Sequence, residues 1–100
     1  MNEGVAQGGA RTIARAVTIV NKRGLHARAA ARFVKLAERF DASISVTHND
    51  TTVSGRSIMG LMMLAAGAGS EIELSATGPE AEAALAALAE LIQAGFDETD

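Results

Sequence analysis

Residues 71–92, EIELSATGPEAEAALAALAELI, change their hydrophobic period in mid-stretch, and that change decides the fold class. Over Glu71–Ala76 apolar and polar residues alternate, so Ile72, Leu74 and Ala76 face inward while Glu71 and Glu73 face water, as in a half-buried strand. Gly78-Pro79 breaks the strand, and Pro at a first helical position predicts a helix start there. Ala81, Ala84, Leu85, Leu88, Leu91 and Ile92 then recur at three- and four-residue steps, the buried face of a helix that ends near Gly95. A strand feeding directly into an amphipathic helix points to a sheet covered by helices, the α+β class.

The segments upstream repeat the same two periods. Val17 and Ile19 alternate with Ala16 and Thr18, predicting a strand over about 15–20. A polar turn, Asn21–Gly24, leads to a helix over 27–40, where Ala30, Phe33, Val34, Leu36, Ala37 and Phe40 fall at helical spacing. On that helix Arg28, Arg32, Lys35 and Arg39 form a basic stripe. Ile44, Val46 and His48 alternate with Ser43, Ser45 and Thr47; Asn49-Asp50 is a turn signal, and Thr51–Ser54 closes a hairpin. Ser57–Leu64 is a short apolar helix behind a serine N-cap. The order is β-α-β-β-α-β-α in one domain over 11–97, with loose tails expected at 1–10 and 98–100.

Composition narrows the function. The chain has 100 residues and a net charge of −3, and 48% of it is apolar, enough for a small core. It contains no Cys, which excludes disulfides, thiolate metal sites and cysteine nucleophiles, and its two His lack the clustered carboxylates of a metal centre. No apolar run approaches the roughly 18 residues of a membrane span, so a cytoplasmic domain without membrane insertion is expected. Charge is polarised: residues 1–56 carry every Lys and Arg and sum to +5, while residues 57–100 sum to −8. With no Trp or Tyr and no dense basic run, nucleic acid is a poor partner. An acidic protein surface or a phosphate group fits the basic half better.

His26 is the first candidate for chemistry. It precedes a helix whose first amides, those of Ala27, Arg28 and Ala29, have no partner four residues back and can point at an anion. The helix dipole adds about half a positive charge, which disfavours imidazolium and keeps the ring neutral and nucleophilic. Arg28 supplies a cation for a phosphate held there. His48, in a strand without charged neighbours, reads as structural. Ser57 is the second candidate: a phosphate on it would bring nearly two negative charges beside an apolar surface. If Leu61 and Leu64 point to the core, Met59, Met62 and part of Ile58 are left outside, an adaptable Met-rich docking surface.

These strings resemble a known family. Gly24-Leu25-His26-Ala27-Arg28, followed by Ala29-Ala30, is similar to the active-site signature of HPr, the histidine-containing phosphocarrier of the bacterial phosphotransferase system. Arg56-Ser57-Ile58-Met59-Gly60-Leu61-Met62 resembles that family's regulatory-serine segment, and the likeness runs over about residues 12–95. It implies an open-faced sandwich: a four-stranded antiparallel sheet, order 1-4-2-3, with three helices on one face. It implies that His26 accepts phosphate on Nδ1 from phosphorylated enzyme I and passes it to enzyme IIA domains, with Arg28 beside the phosphate. By the same resemblance Ser57 is the target of HPr kinase/phosphorylase. Ile58, Met59 and Met62, joined by Arg28 and Lys35 of the basic stripe, form the docking surface of a monomer that needs no cofactor or metal. The resemblance implies sugar uptake, nitrogen-related regulation or both as the output; Ala29 stands where the family usually has Pro, a departure that leaves the His–Arg pair intact and that a specialised branch such as the nitrogen-related system would show. The competing expectation, from a different class, is a regulatory module that binds a ligand or transcription factor without phosphoryl transfer.

Overall fold

The computed structural model describes residues 11–98, so the expected N-terminal tail and residues 99–100 lie outside the described residues. Four strands, β1 (Thr12–Thr18), β2 (Ser43–His48), β3 (Thr51–Ser54) and β4 (Glu71–Thr77), form one antiparallel sheet in the order β1-β4-β2-β3. Three helices, α1 (Ala27–Ala37), α2 (Ile58–Met63) and α3 (Ala81–Gln93), cover one face. Val17, Ile44, Val46, Ile72, Leu74 and Ala76 point into that layer and are buried; Glu71 and Glu73 face water. The open-faced sandwich is therefore as expected.

Local chemistry sets the boundaries. β1 begins at Thr12, earlier than its apolar alternation indicates, because its pairing with β4 runs from Thr12↔Thr77 to Thr18↔Glu71. Asn49 and Asp50 adopt φ of 49° and 67°, the left-handed pair that a two-residue hairpin with matching strand twist requires. α1 stops at Ala37, short of Phe40. Its last turn tightens through Arg39 N–H to Leu36 and Phe40 N–H to Ala37. There the Arg56 guanidinium donates to the carbonyls of Ala37 (3.4 Å), Phe40 (3.1 Å) and Ala42 (3.0 Å).

The start of α3 differs from expectation. Pro79 lies in the preceding turn, and the helix opens at Ala81 behind Glu80. The Glu80 carboxylate is drawn away from the helix to accept the Asp41 N–H at 2.6 Å. Gly78 packs so tightly on Ala42 that a Cβ would stand 3.0 Å from its Cα, and the residues after it complete the turn before a helix can begin.

Past α3 the chain turns sharply. Gly95, Phe96 and Asp97 have φ of 66°, 56° and 61°, three successive left-handed residues. The Phe96 ring is fully buried and joins Phe33, Leu88 and Ile92 in the core. The Arg32 guanidinium donates to the Phe96 carbonyl. This anchored turn sends residue 98 back toward the start of α1.

Candidate phosphoryl-carrier site

The loop from β1 to α1 is clamped before it delivers His26. Gly24 has φ of 64°, and a Cβ there would lie 2.4 Å from the Ala66 carbonyl oxygen, so only glycine fits. The next amide, Leu25 N–H, donates to that same carbonyl at 3.0 Å, and the Leu25 side chain is buried. His26 follows as the N-cap of α1, in extended conformation, and its side chain makes no capping bond. The first helical bond runs from Ala30 N–H to the His26 carbonyl at 2.8 Å, so the amides of Ala27, Arg28 and Ala29 precede it, as expected. Ala27 and Arg28 are exposed and Ala29 is buried. The ring borders a shallow cleft of about 210 Å³ between Arg23 and Leu25 on one side and Ala65–Gly67 on the other.

The ring also has a partner that sequence reasoning missed. His26 Nε2 is hydrogen-bonded to Glu98 Oε2, with the two side chains 21% and 5% exposed. Glu98 falls in the expected C-terminal tail, 72 residues from the histidine in sequence; the left-handed turn at 95–97 is what brings it there. Its second oxygen accepts from Asn21 Nδ2 at 3.0 Å, and the same amide nitrogen donates to the Gly24 carbonyl at 2.9 Å. Burial works against ionisation of Glu98, but hydrogen bonds from His26 and Asn21 and the charges of His26 and Arg28 outweigh it. Its carboxyl is held below its usual 4.5. The imidazole thus stands between a helix N-terminus that repels positive charge and a carboxylate that attracts it. The helix terminus does not act on it alone.

That arrangement fixes which nitrogen is free. An ionised carboxylate only accepts, so the shared proton belongs to Nε2, and a neutral ring then carries its lone pair on Nδ1. His48, by contrast, donates from Nδ1 to the Leu64 carbonyl at 3.0 Å and ties β2 to the end of α2. Among the described residues no three His, Asp or Glu converge as a metal site would need, and no helix is long and apolar enough to cross a membrane.

Ser57 caps α2 as expected: its Oγ accepts the Gly60 N–H at 2.9 Å. Leu61 and Leu64 point into the core, while Ile58, Met59 and Met62 are exposed. Met63, left out of the expected surface, is its most exposed member at 75%. A six-residue helix lying on one side of the core has to leave its remaining faces to water. Lys35 sits on α1 about 12 Å along the axis from Ala27 at the helical rise. With Arg32 and Arg39 it lines the groove between α1 and α3, so the stripe is shared between that groove and the candidate site.

Comparison with known proteins identifies the family and the fold. Residues 13–94 match the family described as "PTS HPr component phosphorylation site". The phosphocarrier protein HPr of Pseudomonas aeruginosa is 51% identical over 83 residues, covering 82% of this chain and 92% of that one. The phosphocarrier protein NPr of Shewanella violacea is 48% identical over 84 residues, covering 84% and 92%. The crystal structure of HPr-C-His from Thermoanaerobacter tengcongensis superposes with a TM-score of 0.83 at 41% identity, covering 88% of this chain and 99% of that one. The chain belongs to the HPr/NPr family of phosphocarrier proteins of the phosphotransferase system.

Proposed function

We propose that His26 is the phosphoryl acceptor, taking phosphate on Nδ1 from phosphorylated enzyme I and delivering it to enzyme IIA domains. The observation that carries this reading is the bond from Nε2 to Glu98, which leaves Nδ1 as the nucleophile. In the transfer the Nδ1 lone pair attacks phosphorus in line, the phosphorus–nitrogen bond to the donor histidine breaks, and its electron pair returns to that nitrogen. The proton on Nε2 stays where it is. The positive charge that the ring acquires is balanced by Glu98, and the phosphoryl oxygens face the first amides of α1 and the Arg28 guanidinium. Delivery reverses these steps.

The protein works on this reading as a cytoplasmic monomer without cofactor, a stoichiometric substrate of its partner enzymes. Enzyme I and the IIA domains dock on Ile58, Met59, Met62 and Met63, with Arg28 and Lys35 contributing charge. Phosphorylation of Ser57 by HPr kinase/phosphorylase sets a dianion beside that apolar surface and weakens docking. The test is incubation of the chain with phosphoenolpyruvate and enzyme I, read by intact mass. An acid-labile gain of one phosphoryl group, lost in His26→Ala, is expected. Undiminished phosphorylation of His26→Ala overturns the assignment and points to His48. No adduct on the wild type favours a binding module that carries no phosphate.

A further inference from the structure

Asn21 stands between the end of β1 and the turn that carries His26, and at 6% exposed it is the buried polar residue of the described core. Its Nδ2 donates to the Gly24 carbonyl at 2.9 Å within its own turn and to Glu98 Oε1 at 3.0 Å. The other oxygen of that carboxylate holds His26 Nε2. Asn21 Oδ1 is buried and accepts no hydrogen bond from the described residues. The amide cannot turn over, because Oδ1 would then face a carbonyl and a carboxylate, acceptors both. A buried acceptor without a donor is destabilising, so stability alone would favour an apolar side chain of similar size at this position. The side chain gives up one pairing to hold Glu98 Oε1.

We infer that Asn21 is a positioning residue for phosphoryl transfer: by holding Glu98 Oε1 it keeps Oε2 on His26 Nε2, and the ring therefore presents an unprotonated Nδ1. The inference rests on the proposed role of His26, and it assigns the choice of nitrogen to a residue five positions upstream whose own side-chain bonds go to Gly24 and Glu98.

Because donor and acceptor are defined at each contact, the clamp can be inverted. In Glu98→Gln, Asn21 Nδ2 requires the carbonyl oxygen of the new side chain. Its NH₂ is then turned toward His26 Nε2, and the ring proton moves to Nδ1. In the double variant Asn21→Asp with Glu98→Gln, the carboxylate at 21 requires the NH₂, at the cost of facing the Gly24 carbonyl with no donor; the carbonyl oxygen of the side chain at 98 then faces His26, and the proton returns to Nε2. The full-length chain is measured by the ¹⁵N chemical shifts of the His26 ring nitrogens, at a pH where the ring is neutral. The wild type is expected to carry its proton on Nε2. Glu98→Gln is expected to shift the ratio of tautomers toward Nδ1–H by about tenfold, the equilibrium factor of one charge-assisted hydrogen bond. Acceptance of phosphoryl groups slows by a similar factor, and the double variant recovers both. If the double variant keeps the tautomer of Glu98→Gln while its amide spectrum shows a folded chain, Asn21 is only structural and the inference is overturned. Should the double variant not fold, Asn21→Leu, which removes both donated bonds, must still move the ring shifts, and unchanged shifts sink the idea. Failure of the wild type to accept phosphate is a separate outcome: it overturns the proposed function, whatever the ring nitrogens show.

Discussion

Glu98 makes the candidate site sensitive to acid, and the sign follows from the direction of its shift. A carboxyl held below its ordinary value in the folded state adds stability that is fully present above the unfolded value of 4.5. That contribution is lost as pH falls through the folded value. Glu98→Gln is therefore expected to lower the urea midpoint at neutral pH and to make it less dependent on pH below about 5. Parallel curves for variant and wild type across that range would show that the carboxylate is not ionised against His26. The neighbouring amides carry a second expectation. The first helical bond belongs to Ala30, so a proline at Ala29 removes no intrahelical bond and stiffens the unfolded chain. Ala29→Pro should stabilise by roughly 0.4–1 kcal/mol in urea melts while phosphoryl acceptance continues. Destabilisation instead would mean that the buried Ala29 site has no room for the ring.

α2 is the element in which two ends can be tested separately. At its start Ser57→Ala removes the bond to Gly60 N–H and should cost about 1 kcal/mol, whereas Ser57→Asp retains an acceptor and should cost little. Equal losses in thermal melts would show that the cap contributes nothing. At its end Ala65 is held at φ of 54°, a conformation that costs an L-residue roughly 1–2 kcal/mol and glycine almost nothing. Ala65→Gly should stabilise by roughly 0.5–1 kcal/mol once glycine's larger entropy loss is subtracted. A lower melting temperature would mean that the methyl group packs on the cleft beside His26. These elements also show what the chain discloses locally. The period of Glu71–Ala76, the turn at Asn49-Asp50 and the caps at His26 and Ser57 are written in adjacent residues, so strand, hairpin and helix starts could be read directly. The Asn21–Glu98–His26 contact could not. It joins residues 72 apart through three left-handed residues, two of them non-glycine, held in place by the burial of Phe96 and the reach of Arg32. Pro79 misled for a related reason: the carboxylate that delays α3 is committed to Asp41, far away in sequence.

The whole molecule is electrically divided, with +5 over residues 1–56 and −8 over residues 57–100. His26, Arg28 and the basic stripe belong to the positive part, and α2 presents apolar rather than charged surface beside it. Charge of this kind chiefly sets the speed of encounter, while desolvated apolar contacts hold the complex. Raising ionic strength should therefore slow association with enzyme I in stopped-flow measurements more than it speeds dissociation. A salt effect confined to dissociation would place the charged residues inside the buried contact.

The strand order has a further consequence, in time rather than space. β2 and β3 are joined through two residues, and hairpins of that kind close in about 1–10 μs. Among the described residues β1 is an edge strand paired with β4 alone, and Thr12 meets Thr77, 65 positions further along the chain. Bringing those ends together closes about two-thirds of the chain into a loop, an entropic debt that no local contact repays. β1, synthesised ahead of the other described strands, is thus among the last to find its partner, and the loop that begins where β1 ends, with Asn21 and His26 on it, takes shape only when β4 arrives.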